Sequence, residues 1–303
     1  MTARALREKP AVRRTALDRR RFFMPERFTP LYYTSVYARL TEAQRRRYNQ
    51  LHVLYFHEQL AFLEGSLPST LLASLQGDPR YGELARELRE LITQESRHAA
   101  MFRALNRRIA PDLYRDRAAA FLDPGRWGGL WRRASSCAAL RPTFLWFMLI
   151  QEEKALAYTR GFLEHGDLEP TIVSVHRRHL EHERTHCKSD VQLLDLAWEH
   201  TPDTLLRLNG HVLAWMLKEF FLAPQRSGWR VVEAWLKERP ELAPERARLR
   251  REIARLDHDP EYVTMMYGPD TIPESWRRMR ERPELARLRR FLERRCTPRP
   301  PGA

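Results

Sequence analysis

Apolar residues recur along this chain at spacings of three and four, and the pattern reads as helix almost throughout. Thr41 and Gln44 form a capping-box pair. Behind them Leu51, Leu54, Tyr55, Glu58, Ala61, Phe62 and Gly65 share one stripe of a helix over 41–64, closed by Gly65 and Pro68. A short amphipathic piece follows over 69–76. A long helix over 81–108 sets Leu84, Leu88, Leu91, Glu95, His98, Phe102 and Leu105 on one side and ends at Pro111. Residues 111–140 read as irregular or short helical pieces. Pro142, suited to a first turn, opens a strongly apolar helix over 142–164. Pro170 opens another over 170–199, and Thr201, Pro202 and Asp203 start one over 201–222. After Pro224, shorter helices are expected near 226–238, 244–256 and 273–295, punctuated by Pro240, Pro244, Pro269, Pro273 and Pro283. No segment alternates long enough to demand a strand, and no internal repeat of 20–50 residues is apparent. The fold class is therefore all-α: a bundle of four long helices with additional C-terminal helices. Three stretches are expected: a basic N-terminal extension (1–40), the bundle (41–225), and a helical segment (226–303) packed on it and ending in a basic tail.

The four long helices carry the chemistry. Glu95 and His98 form one Glu-x-x-His, and Glu183 and His186 form another. Three residues turn a helix by about 300°, so each pair projects to one side and can share a ligand. One such motif arises by chance at this composition, and on a single helix each of these residues fits a solvated face. Two motifs, both on long helices, are harder to dismiss. The other two helices carry acids at apolar spacing: Glu58 among Leu51, Leu54, Tyr55, Ala61 and Phe62, and Glu152 among Leu145, Met148, Leu149, Ala155 and Leu156. A carboxylate buried without a partner is costly, and a metal ion is a natural partner. Glu, Glu-x-x-His, Glu, Glu-x-x-His across four helices is how di-metal carboxylate bundles are built. Oxygen and nitrogen donors without cysteine suit iron or manganese rather than structural zinc. Four histidines lie between 176 and 186, and His179 stands within about 60° of Glu183 and His186 on a helix. His182 is nearly as close in angle, and Glu153 adjoins Glu152, so spacing alone leaves both choices open.

Composition narrows the rest. The net charge is +14, with 53 Lys plus Arg against 39 Asp plus Glu. The excess sits at the ends: residues 1–21 hold eight basic and two acidic side chains, and residues 277–303 hold ten Arg and three Glu. The middle is close to neutral, which speaks against a nucleic-acid-binding face. The ends are expected to be solvated charge at mobile termini, or a contact for an acidic electron donor. The longest apolar run, Phe144 to Ile150, is seven residues, against the roughly 20 needed to span a membrane. Three scattered cysteines and no apolar leader before Phe22 point to a cytoplasmic protein. Twelve glycines without a phosphate-cradling loop disfavour a nucleotide-binding α/β fold. Large apolar helix faces suit a homodimer.

The series Glu58, Glu95-x-x-His98, Glu152, His179-x-x-x-Glu183-x-x-His186 resembles the diiron N-oxygenases of the p-aminobenzoate N-oxygenase (AurF/CmlI) type over residues 41–225. The resemblance implies a ferritin-like bundle whose third histidine ligand comes from the His-x-x-x-Glu-x-x-His motif. The 31 residues from Glu152 to Glu183 fit that family's pattern and favour Glu152 over Glu153. It further implies a metal set of Glu58, Glu95, His98, Glu152, His179, Glu183 and His186 holding two Fe ions, with Mn or a mixed Mn/Fe pair as alternatives. O2 would be co-substrate, an external donor would supply electrons, and a small aromatic amine would leave as hydroxylamine, nitroso or nitro product. Asp190, one turn beyond His186, is a candidate to orient an imidazole. Tyr55, Phe62, Phe102 and Phe147 are candidate pocket residues. C-hydroxylation or desaturation, iron oxidation in a ferritin-like shell, and a non-enzymatic helical role are the competing readings.

Overall fold

Thr41 and Gln44 cap the first long helix as their spacing requires. The Thr41 N–H donates to Gln44 Oε1 at 2.9 Å and the Gln44 N–H to Thr41 Oγ1 at 3.3 Å. That helix is α1 (Glu42–Gly65) of a computed structural model describing residues 16–65, 67–123, 125–221 and 227–296. α2 (Leu67–Gln76) and α3 (Ala85–Ile109) follow, then α4 (Gly125–Ser135) and the long α5 (Arg141–Glu164). α6 (Pro170–Glu199) starts on Pro170, with the Glu169 carboxylate accepting the Ile172 N–H at 3.0 Å. α7 (Asp203–Met216) passes into a π-helical turn at Leu217–Phe221. Then come α8 (Ser227–Glu238), α9 (Arg246–Ile253), α10 (Pro260–Tyr267), α11 (Pro273–Glu281) and α12 (Ala286–Cys296). No strand occurs among the described residues; Phe22 and Leu168 form one isolated bridge. No helix is long and apolar enough to cross a membrane.

The four long helices pair as α1 on α3 and α5 on α6, with α3 against α6 joining the pairs. α5 is buried without interruption from Arg141 to Ile150, and α1 from Tyr48 to Glu58. Such helices have no solvent face to define a stripe. They stay buried because other elements cover their outer sides: α8 lies on α1, and α7 and α11 lie on α5.

Three departures from the sequence reading have physical reasons. The helix expected over 273–295 is two, α11 and α12, because Pro283 has no N–H and starts a separate 3-10 turn. α10 and the 3-10 turns at Glu26–Phe28, Pro30–Tyr33 and Tyr37–Arg39 are too short to show a period. Residues 22–40 nevertheless join the core. Phe23, Met24 and Leu31 are fully buried, and Asn49 on α1 accepts the Phe23 and Met24 amides at 2.8 and 3.1 Å. The basic C-terminal run is structured as far as Cys296, while its last residues, 297–303, and the basic residues 1–15 lie outside the described residues. Arg278 is buried on α11 and pairs with Asp195 of α6 (Nη2 to Oδ2, 2.9 Å) and with Glu274.

Glu153 fastens the C-terminal helices to the bundle. Its carboxylate accepts the Glu274 and Ser275 N–H groups at 2.6 and 3.0 Å and the Ser275 hydroxyl at 2.5 Å, so a side chain of α5 caps α11. Glu153→Ala leaves those donors buried without an acceptor. It is expected to cost about 2–4 kcal/mol in urea unfolding while leaving metal content unchanged.

Candidate metal centre

At the centre of the bundle, four carboxylates and three imidazoles converge: Glu64 from the last turn of α1, Glu95 and His98 from α3, Glu152 from α5, and His179, Glu183 and His186 from α6. All are buried. Glu183 stands in the middle. Its Oε1 lies 2.9 Å from His179 Nε2, 3.2 Å from His98 Nδ1 and 3.5 Å from His186 Nδ1. Glu64 Oε1 is 3.2 Å from His179 Nε2, and Glu95 Oε1 is 3.0 Å from His186 Nδ1. Donor atoms fall into three overlapping triads, each with all atoms within 4.8 Å: Glu64–His98–His179, Glu95–His98–His186 and Glu152–Glu183–His186.

Six of the seven residues read from the sequence stand in this cluster; Glu58 does not. Its carboxylate accepts the backbone N–H groups of Ala120 (2.6 Å), Phe121 (3.0 Å) and Leu122 (2.6 Å) and the Tyr114 hydroxyl (2.5 Å). It is thus engaged with the loop between α3 and α4. Glu64 stands in the cluster instead, six residues on and about 120° round the helix. One signal pointed to it. Glu64 to Glu95 is 31 residues, the same as Glu152 to Glu183, so the two helix pairs share one spacing. The pairs differ four residues earlier, where His179 precedes Glu183 but buried Leu91 precedes Glu95. Of the two open choices, Glu152 and His179 lie in the cluster, Glu153 caps α11, and the His182 side chain falls outside the described residues.

The electrostatics call for cations. Beyond these close approaches, Glu64 Oε2, both oxygens of Glu95 and Glu183, Glu152 Oε2 and both ring nitrogens of His179 meet no partner in hydrogen-bonding geometry among the described residues. Native cores rarely leave so many buried polar atoms unmet. Burial pushes the carboxyls of Glu95 and Glu152 well above the usual range, with the neighbouring carboxylates adding to it. Burial also raises Glu64, against the pull of His179. Burial alone would lower His179, but the carboxylates of Glu64 and Glu183 outweigh it and lift the imidazole to about 10. Two divalent ions would balance four carboxylates, satisfy these atoms and remove the repulsion. The donor set therefore fits a pair of iron or manganese ions.

Around the cluster, His186 Nε2 meets Gln94 Oε1 at 2.8 Å. Gln94 thus fills the orienting role expected of Asp190, and aims Nδ1 of His186 inward. Asp190 is fully buried and makes no hydrogen bond to a described residue; burial and the charge of Glu183 raise its carboxyl well above the usual range. Gln94→Leu is expected to weaken metal binding roughly 10–100-fold, measured by competition with a chelator, with the fold unchanged. A second buried chain runs beside the site. His57 Nδ1 meets Asn106 Oδ1 at 2.9 Å and His57 Nε2 meets His176 Nε2 at 3.2 Å, while Asn106 Nδ2 donates to Leu54 O and to the Tyr114 hydroxyl. Asn106 therefore fixes both imidazole tautomers: His57 carries its proton on Nδ1 and His176 on Nε2.

A cavity opens along the Glu64–Glu152 side of the cluster. Tyr55, Phe56 and Phe147 supply aromatic walls, and Gln59, Gln151 and Lys154 supply polar ones. Of the expected pocket aromatics, Tyr55 and Phe147 line it. Phe102 packs edge-on against His179 at 5.0 Å instead, and Phe62 is not among the lining residues. No arginine lines this cavity among the described residues. Lys154 is buried, its Nζ 4.5 Å from the Tyr267 ring centroid, and burial lowers its ammonium to about 7.

A family model described as P-aminobenzoate N-oxygenase AurF matches residues 8–259, extending the likeness well beyond 41–225 at both ends. Neither the curated proteins nor the solved structures gave a match.

Proposed function

The chain belongs to the p-aminobenzoate N-oxygenase AurF family, a family of oxygenases, and from that premise we propose that it is a diiron N-oxygenase of a small aromatic amine. The observation that carries the reading is the convergence of the buried donor groups of Glu64, Glu95, His98, Glu152, His179, Glu183 and His186 in three overlapping triads. These seven are the proposed ligands, with Glu64 in place of Glu58. Two irons held there would supply the electrons and Lewis acidity needed to use O2 as the oxygen source for the amine nitrogen.

The protein's own part is placement. Glu64 and Glu152 are the ligands that reach the cavity, so the amine approaches from their side. Tyr55, Phe56 and Phe147 flank the ring and exclude water, while Gln59 and Gln151 offer hydrogen bonds to polar substituents. The remaining ligands face packed helix interior, where His98, His179 and His186 cannot be displaced by solvent. Electrons for each further turnover come from an external donor. The product leaves as a hydroxylamine, nitroso or nitro compound.

The test is iron analysis joined to product analysis. Protein expressed with ample iron should hold about two metal ions per chain and convert members of an arylamine panel to N-oxidised products labelled from 18O2. Less than one iron or manganese per chain, or exclusively C-hydroxylated or desaturated products, would overturn the reading.

A further inference from the structure

A stacked aromatic pair forms part of the wall of the cavity beside the proposed metal ligands. The rings of Phe28 and Tyr158 lie 4.4 Å apart at 17°. Both residues also line a second, outer groove, bordered by Arg160, Glu164 and Asp259. The pair is therefore a partition, one ring-stack thick, between the inner cavity and the surface. The adjacent methionines of α10 fall on opposite sides of it: Met266 lines the cavity and Met265 the groove.

The fold makes room for this wall at one position. Gly161 lies one turn after Tyr158 on α5, and a Cβ there would come within 2.4 Å of Phe28 Cζ. The ring of Phe28 thus rests against bare backbone. Phe28 itself is held on a three-residue 3-10 turn rather than a long helix. Tyr158 is tethered through its hydroxyl to the sulfurs of Met266 (2.7 Å) and Met265 (3.3 Å), weak acceptors on flexible side chains. Along α5, Tyr158 stands six residues beyond Glu152, about 9 Å at the helical rise. Both residues line the cavity, so an amine held at the ligand end directs its far substituent toward the stack.

We propose that the Phe28–Tyr158 stack, seated on Gly161, is the specificity-determining wall that limits the length of amine this enzyme accepts, and that opening it joins the cavity to the outer groove. The proposal rests on the N-oxygenase reading for the placement of the amine, but the wall itself is testable without turnover. Removing the Phe28 ring admits longer molecules, whose second ring then lies in the outer groove.

The experiment uses iron-loaded, full-length protein and four variants of substrate or probe. Binding of nitrobenzene and 4-nitrobiphenyl is read from tryptophan fluorescence quenching, and turnover is read with aniline and 4-aminobiphenyl. Phe28→Ala should raise the affinity ratio of the two-ring to the one-ring probe by at least about tenfold, and Phe28→Leu by less. Gly161→Ala, which keeps the ring but displaces it from the stack, should move the ratio the same way. The kcat/KM ratio for the two amines should follow. Unchanged binding ratios in all three variants, with iron content and melting temperature intact, would overturn the proposal. Shifted binding ratios without N-oxidation of either amine would uphold the wall and overturn the proposed reaction.

Discussion

Glu64→Ala is expected to reduce bound iron from about two per chain to one or fewer and to lower N-oxygenation by more than about 100-fold, since even residues behind metal ligands cost 10–100-fold. Glu58→Ala should do the opposite. It leaves three backbone amides and a tyrosine hydroxyl without their acceptor, a loss of about 2–4 kcal/mol in urea unfolding, with iron content retained. The two glutamates lie six residues apart on one helix, so the comparison is sharp. Iron lost from Glu58→Ala and kept by Glu64→Ala would reverse the assignment.

The reason Glu58 stands apart from the other candidate donors is instructive. On α3 and α6 one face is solvated, and the apolar stripe correctly carried Glu95, His98, Glu183 and His186 into the core. On α1 every residue from Tyr48 to Glu58 is buried, so apolar neighbours surround a carboxylate wherever it sits and say nothing of the direction it faces. The partner of Glu58 is a run of backbone amides 62–64 residues away, in a loop with no periodic signature. The same blindness applies to Glu153, whose partners on α11 are over 120 residues distant. The helical class and the four long members were legible because periodicity is local. The cavity wall was not, since Phe28 belongs to a turn of three residues.

The second large effect is proton-linked. Without metal, burial raises the carboxyls of Glu64, Glu95, Glu152 and Asp190 above their unfolded values, and His179 is lifted to about 10. A carboxyl with a raised folded value holds its proton in the folded state after the unfolded chain has lost it. Its contribution to stability is complete below the unfolded value of about 4 and fades as pH rises through the raised one. Glu183, held down chiefly by His179 against the effect of burial, has the opposite sign, with its contribution lost in acid. Four raised carboxyls against one lowered leave a metal-free fold that weakens as pH rises above about 4, and the protonated His179 adds to the loss between about 6.5 and about 10. Metal ligation needs deprotonated donors, so ions and protons compete. Anaerobic ferrous titrations should show the binding constant rising about tenfold or more per pH unit, and the urea midpoint of the chelated protein should fall over the same range. A pH-independent affinity would contradict the buried-carboxylate account.

The leucine at position 91 has a consequence for the order in which the centre fills and empties. The donor triad at Glu64 has two imidazoles, His98 and His179, while the triad of Glu152 and Glu183 has His186 alone, and Leu91 stands where a fourth imidazole would complete the symmetry. Two ions bound there would therefore be expected to differ in affinity and in reduction potential. Chelation should pass through a one-metal form, and a mixed-metal pair would sort itself by ligand preference rather than scramble. Leu91→His would make the halves alike, and the stepwise loss would then collapse toward a single step.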